Sequence, residues 1–151
     1  MNKYLANFVE HNFPAPGAAL DLGCGKGVDV AALKQLGWSA FGVDLPEVDL
    51  NLSYKADQLF DFVYSNFVFQ FIKNKEEFVL ACFNNLRQGG KLLIQTFDKS
   101  DQVLGAKGFS AEELQVYFQE KFKNIKVEKF TEFDPGHQHD HVKLVLTADR
   151  V

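Results

Sequence analysis

Hydrophobic and polar positions along this chain switch between two periods, and the switches predict its elements. Tyr4, Leu5, Phe8 and Val9 share one face of a helix that must end before Pro14 and Pro16. Ala18 to Leu22 is a short apolar run stopped by glycines, which fits a buried strand. From Val28 to Leu36 the helical spacing returns, with Val28, Ala31, Ala32 and Leu36 on one face and Gly37 as the stop. Ala40 to Asp44 predicts a second strand, closed by Leu45 and Pro46, and Phe60 to Ser65 predicts another. Phe78, Val79, Cys82, Phe83 and Leu86 outline the next helix, ended by Gly89 and Gly90. Lys91 to Phe97 is again a strand of the buried kind. Ser110 and Glu113 have the spacing of a capping box, with Phe109 and Leu114 as its hydrophobic staple, so a helix runs from there to about Glu120. Two β-rich stretches, 122–133 and 141–148, close the chain.

Strands alternating with helices imply a parallel sheet covered on both faces. Two final strands with no helix between them imply an antiparallel hairpin at one edge. The expected fold class is α/β: a Rossmann-like, doubly wound αβα sandwich. Its sheet is mostly parallel, of six or seven strands, with an antiparallel C-terminal hairpin. Only 16 residues lie between Asp44 and Asp61, too few for a parallel crossover and its helix. The helix there is expected to be absent and a third strand vestigial, at Val48 to Leu50, which favours six strands over seven.

Composition narrows the class. A chain of 151 residues, 46% of them hydrophobic, makes one domain with a real core, with no room for a cap domain. No apolar run approaches the roughly 18 residues of a membrane span, and Met1 to Phe13 lacks a signal-peptide pattern. Two cysteines, Cys24 and Cys82, imply no disulfide framework and make a reducing cytoplasm the default. The net charge of −4 argues against a surface built on phosphate contacts. That charge is uneven. Residues 1–66 hold 4 Lys/Arg and 8 Asp/Glu, while residues 67–151 hold 12 of each, so a ligand of the first half is not expected to be an anion.

The candidate chemistry starts at the loop Asp21 to Gly27, between the first strand and the first helix that follows it. Gly23, Gly25 and Gly27 allow a sharp turn and close approach of a ligand to the backbone. A dinucleotide loop would need a glycine where Val28 stands, and a phosphate-binding P-loop would need Ser or Thr after Lys26, where Gly27 stands. Asp21 beside the loop repels a pyrophosphate and suits a cation. Asp44 ends the second strand, where a carboxylate accepts hydrogen bonds from ribose hydroxyls. The implied ligand is a positively charged nucleoside without phosphate, and S-adenosylmethionine has those features.

These motifs carry a resemblance that covers nearly the whole chain. Leu20 to Gly27, Gly42 to Leu45, Asp49 to Asn51, Phe60 to Asn66 and Leu86 to Ile94, in that order, resemble class I S-adenosylmethionine-dependent methyltransferases of the small, methyltransferase-11-like kind. The resemblance implies S-adenosylmethionine as cofactor. It implies that Asp21, Gly23, Cys24, Gly25 and Gly27 hold its methionine part, that Asp44 holds the ribose and that Leu45 packs on the adenine. Asp49 and Leu50 match the acidic dipeptide that reads the adenine edge. Ser65, Asn66 and Phe67 match the segment facing the transferred methyl.

Methyl transfer need not show a catalytic constellation, because the cofactor carries the chemistry; no catalytic residue is assigned. Acceptor pockets in such a sheet form at the carboxyl ends of the strands. The N-terminal helix, 66–74, 97–109 and 133–141 are expected there, with Gln70, His137, His139 and His141 as candidate acceptor residues. The three histidines stand at alternate positions, on one face if the segment is extended. They suit acceptor contact, a base near neutral pH, a metal site or a merely polar turn. A structural zinc needs a fourth ligand, the sequence shows none, and no metal is assigned. Tyr64 to Gln70 and Gly89 to Asp98 are similar to trans-aconitate and biotin-pathway carboxyl methyltransferases. The histidine turn is similar to one in tellurite- and thiopurine-type enzymes. The expected partner is a small-molecule acceptor, with no nucleic acid and no membrane, the chain being a monomer or homodimer. An alternative reading is a non-catalytic domain of this fold that binds the cofactor or a partner.

Overall fold

The computed structural model describes residues 1–151. Helix α1 (Lys3–Asn12) precedes strand β1 (Ala18–Leu22), helix α2 (Val28–Gln35) and strand β2 (Ser39–Val43). Strand β3 (Phe60–Asn66) leads through a 3-10 turn (Phe69–Phe71) to helix α3 (Lys75–Asn85) and strand β4 (Leu86–Phe97). Helix α4 (Ala111–Phe118) and the hairpin β5 (Phe122–Asp134) and β6 (His139–Arg150) complete the chain. The six strands lie in the order β2-β1-β3-β4-β6-β5. β2, β1, β3 and β4 run parallel, and β6 is antiparallel to both β4 and β5. The predicted doubly wound sheet with a C-terminal hairpin is thus the observed one.

Alternation along the central strands splits the core between two faces. Ala19, Phe62, Tyr64, Leu93 and Val145 pack under α1 and α2, with Leu5, Val9, Val30 and Leu33. Leu20, Val63, Leu92, Ile94, Leu144 and Leu146 pack under α3 and α4, with Phe78, Cys82, Leu114 and Phe118. A register shift between Phe60 and Phe62 sends these two rings to opposite faces. Phe62 is the hub of an aromatic cluster, with Phe13, Tyr64 and Phe8 ring centroids 5.3, 5.1 and 5.5 Å away.

Three expectations are corrected. First, α2 buries Val30 and Leu33, whereas Val28 and Leu36 are exposed. Gly27, left-handed at φ 76°, starts the helix in an orientation that turns the Val28 face outward. Second, α3 ends at Asn85, not at the glycine pair. Leu86 already pairs with Phe60, and Gly89 and Gly90 lie inside β4. Third, no strand forms at Val48 to Leu50; residues 44–59 are turns and bends. Side chains tie that connection to α3 in place of a ladder. Asn85 accepts the Ala56 N–H (2.8 Å) and donates to the Tyr54 carbonyl (3.2 Å), and Ser53 donates to Glu77 (2.8 Å). Asn51 accepts the Lys73 and Asn74 N–H groups (2.7 and 3.0 Å). The missing helix agrees with the short spacing, and β2 is left as the sheet edge, with Phe41 half exposed.

The capping box forms as predicted: Ser110 accepts from the Glu113 N–H and Glu113 from the Ser110 N–H. Phe109 and Leu114 are both buried in the larger core.

Phe62→Ala removes the hub of the aromatic cluster and leaves a cavity between rings that cannot collapse. It should cost about 3–5 kcal/mol, read as a lower urea midpoint with an unchanged slope.

Candidate functional site

The carboxyl ends of β1, β2, β3 and β4 open on one edge of the sheet, and β6, running the other way, begins there. Phe97 at the end of β4 lies beside Lys143 of β6. The first feature at this edge is the loop from β1 into α2. Gly23, Gly25 and Gly27 all have positive φ (90°, 53° and 76°). A Cβ at Gly23 would lie 2.4 Å from a Val68 methyl, so only glycine fits. A Cβ at Gly25 or Gly27 would meet nothing within 4 Å, so this side of the loop is an open cradle. The Val43 carbonyl accepts the Gly23 and Cys24 N–H groups (2.8 and 3.0 Å). The Asp44 carboxylate accepts those of Gly25 (2.6 Å) and Leu45 (2.8 Å). Cys24 packs behind the loop, since a Cβ at Gly42 would meet its side chain at 2.6 Å. Its thiol is pushed up by burial and by Asp21, so it is a filler and not a nucleophile.

Asp21 is the electrostatic centre. It is 3% exposed, and its Oδ1 has no hydrogen-bond partner. Tyr64 lies beside it, near enough for its hydroxyl to pull the carboxyl down in part, although the contact falls short of a well-formed hydrogen bond. Burial first, then the negative charge of Asp29, pushes the Asp21 carboxyl up to about 7. A buried carboxylate with an orphaned oxygen fits a ligand that brings a cation carrying N–H donors. S-adenosylmethionine carries an α-ammonium beside its sulfonium, and the open glycine cradle leaves space for it. Asp44 keeps acceptor capacity beyond its two main-chain donors, since a carboxylate has about four lone-pair sites.

Asn66 ends β3 and donates to Asp29 (3.0 Å), which also accepts the Asn2 N–H (2.7 Å). Gln95 of β4 donates to both Asn66 (2.7 Å) and Asn2 (2.9 Å). This network fastens the start of α1 over the site. Asn2, Asp29 and Gln95 escaped the sequence reading. Gln95 left a signal, as a polar break in the apolar run Leu92 to Phe97. Phe67 adopts φ 61°, a strained position for a bulky residue and a mark of function. Its ring meets Phe97 at 5.1 Å and lies under the Lys143 ammonium.

Five further sequence candidates have these surroundings in the structure. Ser65 is fully buried, and its hydroxyl donates to the Leu22 carbonyl (2.6 Å). Gln70 is buried between the Phe67 carbonyl (2.8 Å) and the Thr96 hydroxyl (2.9 Å), so it props the strained residue. Leu50 sits inside the larger core. Asp49 is exposed but folds back to accept from the Asn51 N–H and side-chain amide (2.9 and 3.1 Å). Leu45 is two-thirds exposed at the lip of the loop.

Beyond Phe97, the His141 ring packs at 5.2 Å. Its Nδ1 donates to Asp101 (2.9 Å). Burial pushes the Asp101 carboxyl up, but the N–H groups of Leu104 and Val142 and the His141 ring outweigh it and hold the carboxyl at about 2. His137 and His139 follow the chain out to the hairpin turn, and His137 bonds Asp134 (2.7 Å). Between α1 and β5 a cleft of about 370 Å³ is lined by Asn2, Tyr4, Gln95, Phe130 and Glu132. Gln95 joins it to Asn66.

The chain matches a family model described as "Methyltransferase domain" over residues 1–144. It is 30% identical to the mitochondrial ubiquinone biosynthesis O-methyltransferase of Rattus norvegicus over 113 aligned positions, 57% of this chain and 33% of that protein. The Mus musculus counterpart is 29% identical over 106 positions, 54% of this chain and 29% of that protein. The chain thus spans about a third of the length of the curated relatives it matches. Phosphoethanolamine N-methyltransferase 2 of Haemonchus contortus, solved with phosphomonomethylethanolamine and S-adenosylhomocysteine, superposes with a TM-score of 0.76 at 17% identity. That match covers 97% of this chain and 52% of the other. An S-adenosylmethionine-dependent methyltransferase of Methanosarcina mazei superposes at 0.76 and 14% identity, covering 100% and 98%. With the family model spanning nearly all of its residues and the same fold behind its glycine loop, the chain belongs to the class I S-adenosylmethionine-dependent methyltransferases.

Proposed function

We propose that this chain catalyses methyl transfer from S-adenosylmethionine to a small-molecule acceptor by in-line displacement. The observation that carries the reading is the buried Asp21 carboxylate behind a left-handed glycine loop that is open beside Gly25 and Gly27. When bound, S-adenosylmethionine supplies an electrophilic methyl group on a sulfonium, and such a reaction needs alignment and a dry site more than acid–base help. Asp21 offers its negative charge to the ammonium. Asp29 and Asp44 add negative potential, which favours a cationic ligand. Asp44 accepts the ribose hydroxyls, the exposed Leu45 covers the adenine, and Asp49 lies on the same connection to read its edge. Asn66 and the strained Phe67 border the methyl. Ser65, Gln70 and Leu50 act as positioning residues through the strands and Phe67.

The acceptor enters beside Asn2, Gln95 and Phe67, in or next to the cleft under α1. The rat and mouse relatives are O-methyltransferases by name, so small hydroxylated molecules are the first class to assay. The −4 net charge and the lack of a basic track speak against nucleic acid. No helix is long and apolar enough to cross a membrane. Both cysteines are free, which suits a reducing compartment such as the cytoplasm; a monomer or homodimer would serve equally.

Calorimetric titration with S-adenosylmethionine should show saturable one-site binding, and turnover should release S-adenosylhomocysteine once the acceptor is found. No heat at millimolar cofactor would sink the proposal. Binding without turnover on any acceptor would favour the non-catalytic reading. Asp44→Ala should weaken binding by about 1.5–3 kcal/mol, roughly 10- to 150-fold; an unchanged affinity would remove the ribose assignment.

Asp21 also predicts a pH effect. Its carboxyl titrates near 3.8 in the unfolded chain and at about 7 in the fold. Between those values the folded state binds more protons, so stability falls as pH rises from about 4 to about 7. Asp21→Asn should lack this loss. The parent's unfolding free energy relative to the variant should therefore decline across that window in the cofactor-free protein; a flat difference would contradict the burial of this charge.

A further inference from the structure

The hairpin turn between β5 and β6 contains an arrangement that the methyltransferase reading does not use. Asp134, His137 and His141 bring one donor atom each within 4.8 Å of one another. Nε2 of His141 lies 3.6 Å from Asp134 Oδ2 and 3.2 Å from Nε2 of His139. The last distance is the unusual one. His141 Nδ1 faces Asp101 Oδ2 (2.9 Å). That carboxylate also accepts the N–H groups of Val142 (2.8 Å), Val103 (3.0 Å) and Leu104 (2.7 Å), so it is an acceptor and the His141 proton sits on Nδ1. His139 Nδ1 faces the His137 carbonyl (3.0 Å), which can only accept, so the His139 proton also sits on Nδ1. In two neutral rings, both Nε2 atoms therefore carry lone pairs and point them at each other. Such a contact repels unless a metal ion or a shared proton stands between them.

We propose that Asp134, His137 and His141, joined by His139, whose Nε2 meets only that of His141 among these donors and closes in on binding, form a four-coordinate site for a divalent transition metal of the zinc type. Three imidazoles and one carboxylate are the donor set that such an ion takes. Two ligands at the usual ~2.0–2.1 Å from a tetrahedral zinc lie roughly 3.3 Å apart; the 3.2 and 3.6 Å separations seen here are close to that, and the 2.7 Å His137–Asp134 hydrogen bond opens when both become ligands. The fourth ligand that the sequence reading did not find is Asp134, three residues before His137. Asp101 is the outer-shell carboxylate that fixes the tautomer and orientation of His141. His137 now donates its Nδ1 proton to Asp134 (2.7 Å). Ligation through Nδ1 moves that proton to Nε2, so the neutral ring binds with no net proton release. With four protein ligands no open position remains, and the ion closes the hairpin structurally without activating water. Its effect reaches the acceptor side through the His141, Phe97 and Phe67 rings, packed in series.

The test uses the full chain after chelator treatment and dialysis. Zinc is titrated in competition with a chromophoric chelator, and cobalt(II) is added separately for its visible spectrum. Expected are one zinc per chain, sub-micromolar affinity, tetrahedral cobalt bands and a higher thermal midpoint with zinc. His139→Ala, a change at a partly exposed ring, should weaken binding roughly 100-fold while leaving the metal-free thermal midpoint near that of the parent. Asp101→Asn should weaken it by about 10- to 100-fold through His141 alone. Affinity in the high micromolar range, more than one equivalent, or equal binding by the parent and His139→Ala would show adventitious binding by surface histidines and overturn the site. No binding at all would mean that a proton shared between the rings holds them, which equally overturns it. Cofactor binding is measured in parallel and is expected with or without metal.

Discussion

The end of β2 grips the glycine loop, and the rest of the site depends on that grip. The Val43 carbonyl takes two loop N–H groups and the Asp44 carboxylate takes a third. Glycines at left-handed φ can follow this path, and at Gly23 the Val68 methyl leaves room for nothing larger. The loop in turn caps the strand end where Asp21 is buried without a full set of partners. A buried, under-satisfied carboxylate costs stability. On the proposed function, a cationic ligand would recover the loss.

Around that centre polar side chains tie together segments that share no ladder. Asn85, Asn51 and Ser53 lash the connection 44–59 to α3 and to Lys73 and Asn74 just before it. Asn2, Gln95 and Asn66 do the same for α1 over the strand ends. Buried amides have both donor and acceptor atoms, so each can join two segments that lack a common ladder. The connection costs little chain length, and the sheet edge at β2 is left with an exposed Phe41.

Much of this was legible in the residue pattern. Periodicity located all six strands, the capping box placed α4, and the shortness of 45–60 announced the missing helix; the vestigial strand expected at Val48 to Leu50 does not form. The misreadings have physical causes. Val28 and Leu36 have helical spacing with the alanines, but periodicity alone cannot say which face of a short, weakly amphipathic helix turns inward; the Gly27 conformation does. Gly89 and Gly90 look like a helix stop, yet Leu86 already has a strand partner in Phe60. Ser65, Gln70 and Leu50 stand at motif positions, and the burial of their side chains is a separate fact that motif spacing does not give.

By itself the sequence determined the fold class, the order of strands and helices, the glycine loop and the two carboxylates, Asp21 and Asp44, that bracket it. These follow from local rules: hydrophobic period, left-handed glycine and charge near a turn. Only the tertiary structure decided that Asp29, Asn2 and Gln95 belong to the site, that Asp21 is buried and lacks a partner, and that Asp134 and Asp101 converge on the histidine turn. Asp101 reaches His141 across 40 residues because β6 begins at the same edge where β4 ends. No local pattern encodes that meeting. It exists because antiparallel β6 is hydrogen-bonded to β4, and strand pairing brings together residues that the chain keeps apart.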